Sequence, residues 1–381
     1  MTNPNAGFKE FHQQITVIDL HVHPSLKTFL WNKNLAKRHR TGGAWNPLTL
    51  RVDLPKIKDG GVDVLFSSVY LPERRMIKDC FILDVVTSLL GKKFRSLKRG
   101  DPFEITQNIL QHFEIALEDA ASKKGNSVEI ARSFTELKRV LSEGKTAVIH
   151  SVEGAHSLAG RLENVENFFQ LGVSLITLAH FYENEVTHTV GGIPEEKKFL
   201  GCFKNEKEQT AGLTDFGKQA VEKMLDIGML IDLTHCTPKA RQEIYEINNG
   251  RRPLVFSHTG VYDLNSATMN PTDEEIKAIA DCGGVIGVIF MNFWLYPHEQ
   301  KNGLDLILRT IQHLKNVGGI ECIAIGSDFD GFTDPPDDIK DISEMPKLTE
   351  ALLKAGFNQE EIEKIWGKNV LRVLEYGWGM K

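Results

Sequence analysis

Histidine and acidic side chains stand at the ends of short apolar segments of this sequence. His21 and His23 close the run Val-Ile-Asp-Leu-His-Val-His, Glu153 follows Ile-His-Ser-Val, and two further apolar runs are followed by His235 and His258. Neutral imidazole is a good ligand for zinc and similar ions, and alternate residues of a strand point to one side. We therefore predict that His21, His23, Glu153, His235 and His258 are metal ligands.

Two further polar residues follow apolar runs in the same way, and the second of them, Asp328, is not needed as a ligand. His180 follows Leu-Ile-Thr-Leu-Ala, and Asp328 follows Ile-Ala-Ile-Gly-Ser. If Glu153 placed one oxygen on each of two divalent ions, with zinc as the expected metal, the ions would lower the pKa of a shared water and make hydroxide available near neutral pH. Asp328 could then take a proton from that water and pass it to a leaving amine.

Simpler interpretations exist for each of these residues taken alone. A single histidine in a half-buried strand is more often a hydrogen-bonded core residue than a ligand, and one His-x-His also occurs by chance. Cys236, beside His235, is expected to be a packed thiol rather than a ligand. Asp330 could belong to a simple turn after the last strand. What favours a metal site is the whole set of histidines and acids at strand ends.

The elements that would position these residues alternate between strand and helix. We predict strands at 15–21, 62–69, 146–152, 173–179, 229–234, 253–257, 284–290 and 322–327. Alternation of such runs with helical periodicity is typical of parallel βα units. A (β/α)8 TIM barrel is the leading architecture, because it brings the carboxyl ends of all its strands to one face. An open sheet remains an alternative on the pattern alone.

We expect residues 1–381 to form a single barrel domain with one large helical insertion. The insertion, at 70–145 between the second and third strands, contains helical patterns at 103–121 and 134–141 and is expected to cap the active face. A second interval, 181–213, is polar and rich in glycine, which favours a loop. Helix starts are indicated by Thr214 and by the capping boxes Thr272 with Glu275 and Asn358 with Glu361.

Composition and charge exclude several classes of function. The 381 residues carry 45 basic and 51 acidic side chains, a net charge of −6 with both signs interspersed, which does not suggest a nucleic-acid partner. The first 14 residues lack the apolar core of a signal peptide, and no run of about 18 apolar residues could span a bilayer. The five cysteines are scattered, which suits free thiols in a reducing cytoplasm. We expect a cytoplasmic protein without nucleic-acid or membrane partners.

Several motifs together resemble the membrane (renal) dipeptidase family of the amidohydrolase superfamily. The most specific are Gly-Met-Leu-Ile-Asp-Leu-Thr-His at 228–235 and Gly-Ser-Asp-Phe-Asp-Gly at 326–331. Others are Asp-Leu-Pro-Lys-Ile-Lys-Asp-Gly-Gly-Val at 53–62, Val-Glu-Gly-Ala-His at 152–156, Phe-Ser-His at 256–258 and Gly-Lys-Asn-Val-Leu-Arg at 367–372. The resemblance extends over nearly the whole chain.

The resemblance implies a barrel with two zinc ions that cleaves dipeptides or similar small amides. It makes Glu153 the bridging ligand and gives one metal the ligands His235 and His258. It makes Asp328 the acid/base, and His180 a donor to the substrate carbonyl or to the tetrahedral oxyanion, where negative charge develops.

Two positions depart from the family pattern. The family has His-x-Asp on its first strand, whereas this chain has His23 in place of the aspartate, which makes that site one unit less negative. Family members carry an arginine that grips the substrate carboxylate through a bidentate pair, but Met269 stands at the aligned position. Standard dipeptides would then require another cation, such as Arg251, Arg252 or a residue of the helical insertion.

We therefore expect a metal-dependent hydrolase of a small amide: a dipeptide, an N-acyl amino acid or a related lactam, attacked by hydroxide activated between two metals. Because of Met269, the first alternative is a hydrolase of uncharged esters, lactones or phosphoesters. A second alternative is a metal-binding pseudoenzyme that keeps the barrel as an interaction module. The expected partner is a small molecule or dipeptide, and a homodimer is one assembly to consider.

Overall fold

Eight parallel strands form a nearly closed barrel in the computed structural model, which describes residues 4–41, 48–125, 127–191, 202, 210–296, 303–331 and 334–379. With one further short strand, β3, the described residues contain nine strands: β1 (Ile18–Val22), β2 (Val64–Tyr70), β3 (Val128–Ile130), β4 (Thr146–Glu153), β5 (Val173–Thr177), β6 (Leu230–Asp232), β7 (Val255–Thr259), β8 (Val285–Val288) and β9 (Ile323–Ile325). The barrel order is β1-β2-β4-β5-β6-β7-β8-β9, and β3 pairs with β4. All eight predicted strands are found, which confirms the (β/α)8 barrel.

The seam of the barrel lies between its first and last strands. His23 N donates to Phe329 O at 2.8 Å, and Asp328 N donates to His21 O at 2.9 Å. A parallel bridge between Val22 and Phe329 lies at the same place. These contacts place the segment after β9 directly beside the two histidines of the first strand.

Helices surround the barrel. They are α1 (Pro4–Gln14), α2 (Pro24–Trp31), α3 (Leu54–Asp59), α4 (Arg74–Asp79), α5 (Phe81–Leu89), α6 (Lys92–Arg99), α7 (Pro102–Ser122), α8 (Phe134–Ser142), α9 (Glu163–Gln170), α10 (Asp215–Ile227), α11 (Pro238–Asn248), α12 (Asp273–Asp281), α13 (Asn292–Leu295), α14 (Gly303–Gly318), α15 (Pro346–Lys354), α16 (Gln359–Glu363) and α17 (Asn369–Gly377). One π turn (Lys364–Lys368) joins α16 to α17, and short 3₁₀ turns occur at Ala155–Leu158, Ile320–Cys322 and Ile342–Glu344. Among the described residues, no helix has the length and apolar character needed to cross a bilayer.

Local signals in the sequence correctly located the helix starts. The Thr214 side chain caps α10 by accepting from Gly217 N, and both predicted capping boxes, before α12 and α16, are present. The helical patterns at 103–121 and 134–141 correspond to α7 and α8. The short strand β3 was not predicted, because three residues are too few for an alternating pattern to be recognised. Most of the loop predicted at 181–213 lies outside the described residues.

The prediction of five free thiols is wrong for one pair. Cys80, between α4 and α5, forms a disulfide with Cys202, whereas Cys236, Cys282 and Cys322 are free. The two bonded cysteines are separated by 122 residues, so only the tertiary fold brings them together. The spacing of cysteines in the sequence carried no signal of this contact.

Apolar and polar side chains occupy different levels of the barrel. A buried apolar cluster takes side chains from near the start of each barrel strand, including Ile18, Val64, Leu175 and Val255, and packs with Leu374 of α17. The polar residues discussed below lie at the other ends of the strands. The apolar level stabilises the barrel and leaves its carboxyl-terminal face for chemistry.

Candidate metal centre

All seven residues singled out from the sequence lie together at the carboxyl-terminal face of the barrel. His21 lies in β1, Glu153 is the last residue of β4, and His258 lies in β7. The other four follow the ends of strands: His23 after β1, His180 after β5, His235 after β6 and Asp328 after β9. Each of the seven is at least 95% buried. The strand-end pattern therefore corresponds to one spatial cluster.

The Glu153 carboxylate occupies the middle of this cluster. Its Oε1 lies 3.5 Å from His21 Nε2, 3.6 Å from His235 Nε2 and 3.4 Å from His258 Nε2. Its Oε2 lies 3.4 Å from His23 Nε2 and 3.6 Å from His180 Nε2. Five imidazoles thus surround one buried carboxylate, and its two oxygens face different subsets of them.

Two groups of candidate metal ligands share Glu153. His21, His23 and Glu153 form one group, and Glu153, His235 and His258 form the other, with the ligand atoms of each group within 4.8 Å of one another. Within the groups, Nε2 of His21 lies 2.8 Å from Nε2 of His23, and Nε2 of His235 lies 3.3 Å from Nε2 of His258. Imidazole and carboxylate together suit zinc and related divalent ions.

The hydrogen bonding of the histidines also fits a metal. The Nδ1 atoms of His21, His23 and His235 are buried and have no hydrogen-bond partner in the structure. The Nδ1 atoms therefore do not compete with Nε2, and it is the Nε2 atoms that converge, at 2.8 Å between His21 and His23 and 3.3 Å between His235 and His258. Converging imidazole nitrogens beside one carboxylate are a donor set that divalent ions prefer. The residues present therefore fit divalent metal.

Electrostatics divide the histidines into two kinds. Burial opposes charge on His21, but the Glu153 carboxylate raises its pKa above the usual value. Burial, reinforced by the neighbouring His21, holds the pKa of His258 well below its usual range, and burial likewise lowers that of His235. Despite its own burial, Glu153 has a pKa well below the usual value, first because of His180. These shifts favour an ionised Glu153 and neutral His235 and His258, which is the protonation state in which a carboxylate and imidazoles bind metal.

The backbone is unusual at two of the site residues. His235 has a φ of 66° and Asp328 a φ of 59°, both in the left-handed region that non-glycine residues seldom adopt. This conformation directs both side chains from the loops after their strands into the cluster. Gly331 is required nearby, because a Cβ there would collide with the Asp328 carboxylate.

Two buried aspartates, not identified from the sequence, hold these loops in place. Asp19 Oδ2 accepts from Ser327 Oγ at 2.5 Å, and Asp19 Oδ1 accepts from Ser327 N at 2.9 Å, directly before Asp328. Asp232 Oδ2 accepts from Ser257 Oγ at 2.5 Å, and this hydroxyl oxygen lies 2.8 Å from His258 Nδ1. Outer partners of this kind orient metal ligands. Each aspartate precedes a site histidine by two or three residues, and this spacing is the sequence signal that could have identified it.

A buried glutamate outside the predicted set orients His180. Glu73, which precedes α4, is 6% exposed, and its Oε1 lies 3.0 Å from His180 Nδ1 and accepts from Phe181 N at 3.1 Å. Its Oε2 accepts from Tyr70 OH at 2.7 Å. Although burial acts against it, the contact with His180 lowers the pKa of Glu73 to about 2. Nothing in the sequence around Glu73 indicated this role.

Asp330 does more than form a turn. Lys27 Nζ donates to its Oδ1 at 2.8 Å, and the Asp330 carboxylate also accepts from the backbone N–H groups of Arg51 and Val52. Both members of this ion pair are almost completely buried. Asp330 thus ties the segment before α3 to the loop that carries Asp328.

The structure excludes Arg251 and Arg252 as cations of the site. Both precede β7, at the end of the barrel opposite the histidines, where Arg251 Nη2 lies 2.5 Å from Glu222 Oε2 and Arg252 Nη1 donates to Tyr376 O. The position of Met269 has a different cation nearby. Buried Arg241 donates to Met269 O at 3.1 Å and pairs with Glu275 Oε1 at 2.7 Å.

Aromatic rings line one side of the histidine cluster. The ring of Trp294 lies 5.6 Å from that of His235 and 6.3 Å from that of His258, measured between centroids. Phe181 packs on His180 at 3.9 Å, and Tyr70 at 4.4 Å. The space in front of the cluster is therefore bounded by apolar surface, which suits the apolar parts of a small ligand.

Together the barrel and its histidine–carboxylate cluster define a metal-dependent hydrolase. The family can be stated as well: residues 6–376 match the model of membrane dipeptidase, peptidase family M19, and the chain belongs to that family. The resemblance noted in the sequence is thereby confirmed.

Two relatives named as dipeptidases are identical to this chain at about a quarter of the aligned positions. Dipeptidase tcpJ of Claviceps purpurea is 26% identical over 323 residues, which cover 85% of this chain and 68% of the relative. Uncharacterized dipeptidase C965.12 of Schizosaccharomyces pombe is 26% identical over 375 residues, covering 96% and 81%.

Solved structures of similar proteins have the same fold. The probable dipeptidase PvdM from Pseudomonas aeruginosa superposes with a TM-score of 0.78 at 21% identity, over 98% of this chain and 99% of that one. A metallo peptidase from Rhodobacter sphaeroides, liganded with a phosphinate mimic of the dipeptide L-Ala-D-Ala, gives a TM-score of 0.77 at 21% identity, over 96% and 99%.

Proposed function

We propose that this protein hydrolyses small amide bonds, in dipeptides or N-acyl amino acids, with two divalent ions for which zinc is the expected identity. One observation carries the proposal: two separate ligand groups, His21 with His23 and His235 with His258, share the carboxylate of Glu153. A shared carboxylate between two sets of imidazoles is suited to bridging two metals. Membership of a dipeptidase family supports the same reaction.

The residues of the chain have separable roles in this proposal. When bound, the ions would polarise the scissile carbonyl and lower the pKa of a water molecule. Asp328 lies 3.2 Å from His23 Nε2 through its Oδ1 and is not needed to complete either ligand group. Its carboxylate takes a proton from the attacking water and transfers it to the leaving amine.

His180 donates to the oxyanion in this proposal, and its hydrogen bonds define the form in which it can do so. A carboxylate accepts only, so the contact of 3.0 Å with Glu73 requires a proton on His180 Nδ1. Nε2, which faces the metal cluster, then carries a proton only when the ring is an imidazolium. Burial opposes that charge, but Glu153 and Glu73 raise the pKa of His180. His180 is therefore suited to donate a charged hydrogen bond to developing negative charge.

The interval 70–145 serves as a cap beside the site in this proposal, within a single barrel domain. Glu73 lies near the start of this interval and bonds His180 directly. Arg75 of α4 forms an ion pair with Glu183, and Tyr182 OH donates to Asp79 Oδ2 at 2.7 Å. The start of the interval is thus tied to the loop after β5 on which the oxyanion donor stands.

A second candidate substrate class is favoured by Met269. Its side chain is buried and cannot bind a carboxylate, while the nearby Arg241 is directed to backbone carbonyls and Glu275. Uncharged esters or lactones would not require a cation there. Values of kcat/KM distinguish amides from uncharged esters as substrates. They should be compared for free dipeptides, for the same dipeptides with an amidated carboxyl end, and for uncharged esters. Selective turnover of uncharged esters would replace the amide proposal.

Metal analysis tests the centre itself. We expect inductively coupled plasma mass spectrometry to find close to two ions per chain after zinc or manganese loading. Glu153→Gln should lose most of both ions, because the neutral amide cannot bridge, and His258→Asn should lose about one. His112→Asn is the matched control, since the His112 ring packs edge-on against Phe29 and belongs to none of the candidate ligand groups among the described residues. Less than half an ion per loaded wild-type chain would refute the two-metal centre.

A pseudoenzyme remains distinguishable from an enzyme of unknown substrate. If the wild type and Asp328→Asn were equally inert on a broad panel of amides and esters at several pH values, the barrel would be a metal-binding module. If the wild type turns over a substrate and Asp328→Asn does not, the result supports hydrolysis.

A further inference from the structure

The helix α5 exposes a group of apolar side chains on its outer side, while Leu83 and Val86 are half-buried and Leu83 packs against the core. Phe81, Ile82, Val85 and Leu89 lie within about 100° of one another around the helix axis, given the 3.6-residue period. Phe81 is 75% and Leu89 76% exposed, and Leu90 after the helix is 57% exposed. We call these five residues the α5 surface. The one fully buried side chain of α5 is Thr87, on the other side of the helix.

This arrangement differs from that of an ordinary surface helix, because the outer side of α5 is apolar as well as the side that packs on the protein. Amphipathic helices of globular proteins direct their apolar stripe to the core and their polar residues to water. Single exposed apolar residues are common and need no explanation, but a contiguous exposed group marks an interaction site. In the part of the chain that the structure describes, the other large exposed apolar residues stand on separate elements, such as Ile115 on α7.

The helices that pack against α5 are strongly basic. Residues 74–99, from α4 to α6, contain eight lysines and arginines and two aspartates, a net charge of +6 within a chain whose net charge is −6. The basic residues with exposed side chains are Arg74, Arg75, Lys78, Lys92, Arg95 and Arg99. The two acids are half-buried, and Asp84 pairs with Lys98 while Asp79 accepts from Tyr182. Arg75 pairs with Glu183 from outside this segment, so five of the six exposed cations remain as a local excess that the net charge of the whole chain does not reveal.

We propose that the α5 surface and its basic neighbours dock this protein on an anionic phospholipid membrane. An apolar helix face bordered by lysine and arginine is the chemistry of a helix that lies in the membrane interface, where apolar side chains enter the acyl boundary and cations meet lipid phosphates. The docking is peripheral and reversible, because only one short helix supplies apolar area.

Charge also argues against a second copy of this chain as the occupant. A symmetric dimer through the α5 surface would bring two borders of net charge +6 together, and like charges juxtaposed across an interface oppose association. A bilayer rich in acidic lipid carries the complementary negative charge, and its surface extends beyond the whole basic border of the α5 surface. Docking would place α4, which follows Glu73, close to the lipid headgroups, so the capped side of the barrel would face the membrane.

Co-sedimentation of the full-length protein with vesicles tests this proposal. We expect it to bind vesicles of equal parts phosphatidylcholine and phosphatidylserine, to bind much less to pure phosphatidylcholine, and to dissociate as salt is raised. The variant Phe81→Ser/Leu89→Ser should lower partition at least tenfold by removing apolar contact. Arg95→Gln/Arg99→Gln should lower it by a similar factor, about fivefold for each cation.

Two control variants separate the α5 surface from general stickiness. Ile115→Ser removes another apolar side chain of comparable exposure, and Arg309→Gln removes an exposed cation of α14. Neither should change vesicle partition. Thermal melting and turnover in the absence of lipid should be unchanged in all four variants, because none of the residues lies in the metal centre.

Three outcomes would overturn the proposal. The first is no binding of the wild type to acidic vesicles at low salt. The second is equal loss of binding in Ile115→Ser and in Phe81→Ser/Leu89→Ser. The third is a wild-type dimer in sedimentation equilibrium that Phe81→Ser/Leu89→Ser converts to monomer, since the α5 surface would then be a contact between copies of the chain.

Discussion

Replacing Glu73 by glutamine tests whether His180 acts as a charged donor. Glu73 Oε1 lies 3.0 Å from His180 Nδ1 and 3.1 Å from Phe181 N, and Oε2 lies 2.7 Å from Tyr70 OH. A glutamine has the same shape, and its amide oxygen can accept from both nitrogens, while Tyr70 can accept from the amide nitrogen. Glu73→Gln therefore keeps the geometry and removes the negative charge.

The expected magnitude follows from that difference. A hydrogen bond to a charged partner contributes about 1.5–3 kcal/mol, against about 0.5–1.5 kcal/mol for a neutral one, so the substitution removes about 1–1.5 kcal/mol. If this interaction stabilises the imidazolium that meets the oxyanion, the loss appears in the transition state. About 1.4 kcal/mol corresponds to a tenfold change in rate, so kcat should fall roughly tenfold while KM changes little.

The assay is steady-state hydrolysis of the best substrate from the panel, with metal content measured on the same samples. Tyr70→Phe is the matched control, because it removes the hydroxyl that bonds Glu73 and leaves the contact between Glu73 and His180. We expect it to change kcat by less than about threefold. Unchanged kcat in Glu73→Gln, with full metal content, would refute a charged role for His180. A rate loss proportional to metal loss would show instead that Glu73 acts through metal retention.

Other substitutions test the acid/base, the buried ion pair and a buried histidine. Asp328→Asn should lower kcat about a thousandfold with both ions retained, measured by turnover and metal analysis, because general acid–base catalysis contributes about 10²–10⁴. Lys27→Met removes the ion-pair partner of the buried Asp330 carboxylate, and calorimetry should show about 3 kcal/mol lost from the free energy of unfolding. Burial lowers the pKa of His12, whose Nδ1 lies 2.6 Å from Thr349 Oγ1, so the unfolded chain takes up a proton first as the pH falls below about 6.5. Urea unfolding should show the wild type losing stability between about pH 7.5 and 5.5, and His12→Gln losing less of it over that interval.

Much of the site could be predicted because a parallel barrel converts a one-dimensional pattern into a spatial one. His21, Glu153, His258 and Asp328 are far apart in the sequence, but each stands at or after the end of an apolar strand. Since all strands of the barrel run in the same direction, residues at their ends must meet at one face. The capping boxes before α12 and α16 were predictable for a related reason, as their hydrogen bonds are local.

Partners that approach from other parts of the chain could not be predicted in the same way. Glu73 reaches His180 across more than a hundred residues, and Asp19 holds Ser327 across more than three hundred. The disulfide joins Cys80 to Cys202 across 122 residues of the sequence. No periodicity or spacing encodes such contacts, because they arise only when the strands have been arranged around the barrel.

The sequence by itself determined the fold class, the family and the residues of the candidate metal centre, through strand-end chemistry and motifs that need no knowledge of distant contacts. The tertiary structure decided how those residues are supported, and which cations stand near Met269: Arg241 rather than Arg251 or Arg252. It also decided that α5 presents its apolar side to the solvent. The physical reason is the same in each case. The burial of a side chain and its hydrogen-bond partners depend on residues that come close to it only when the chain is folded.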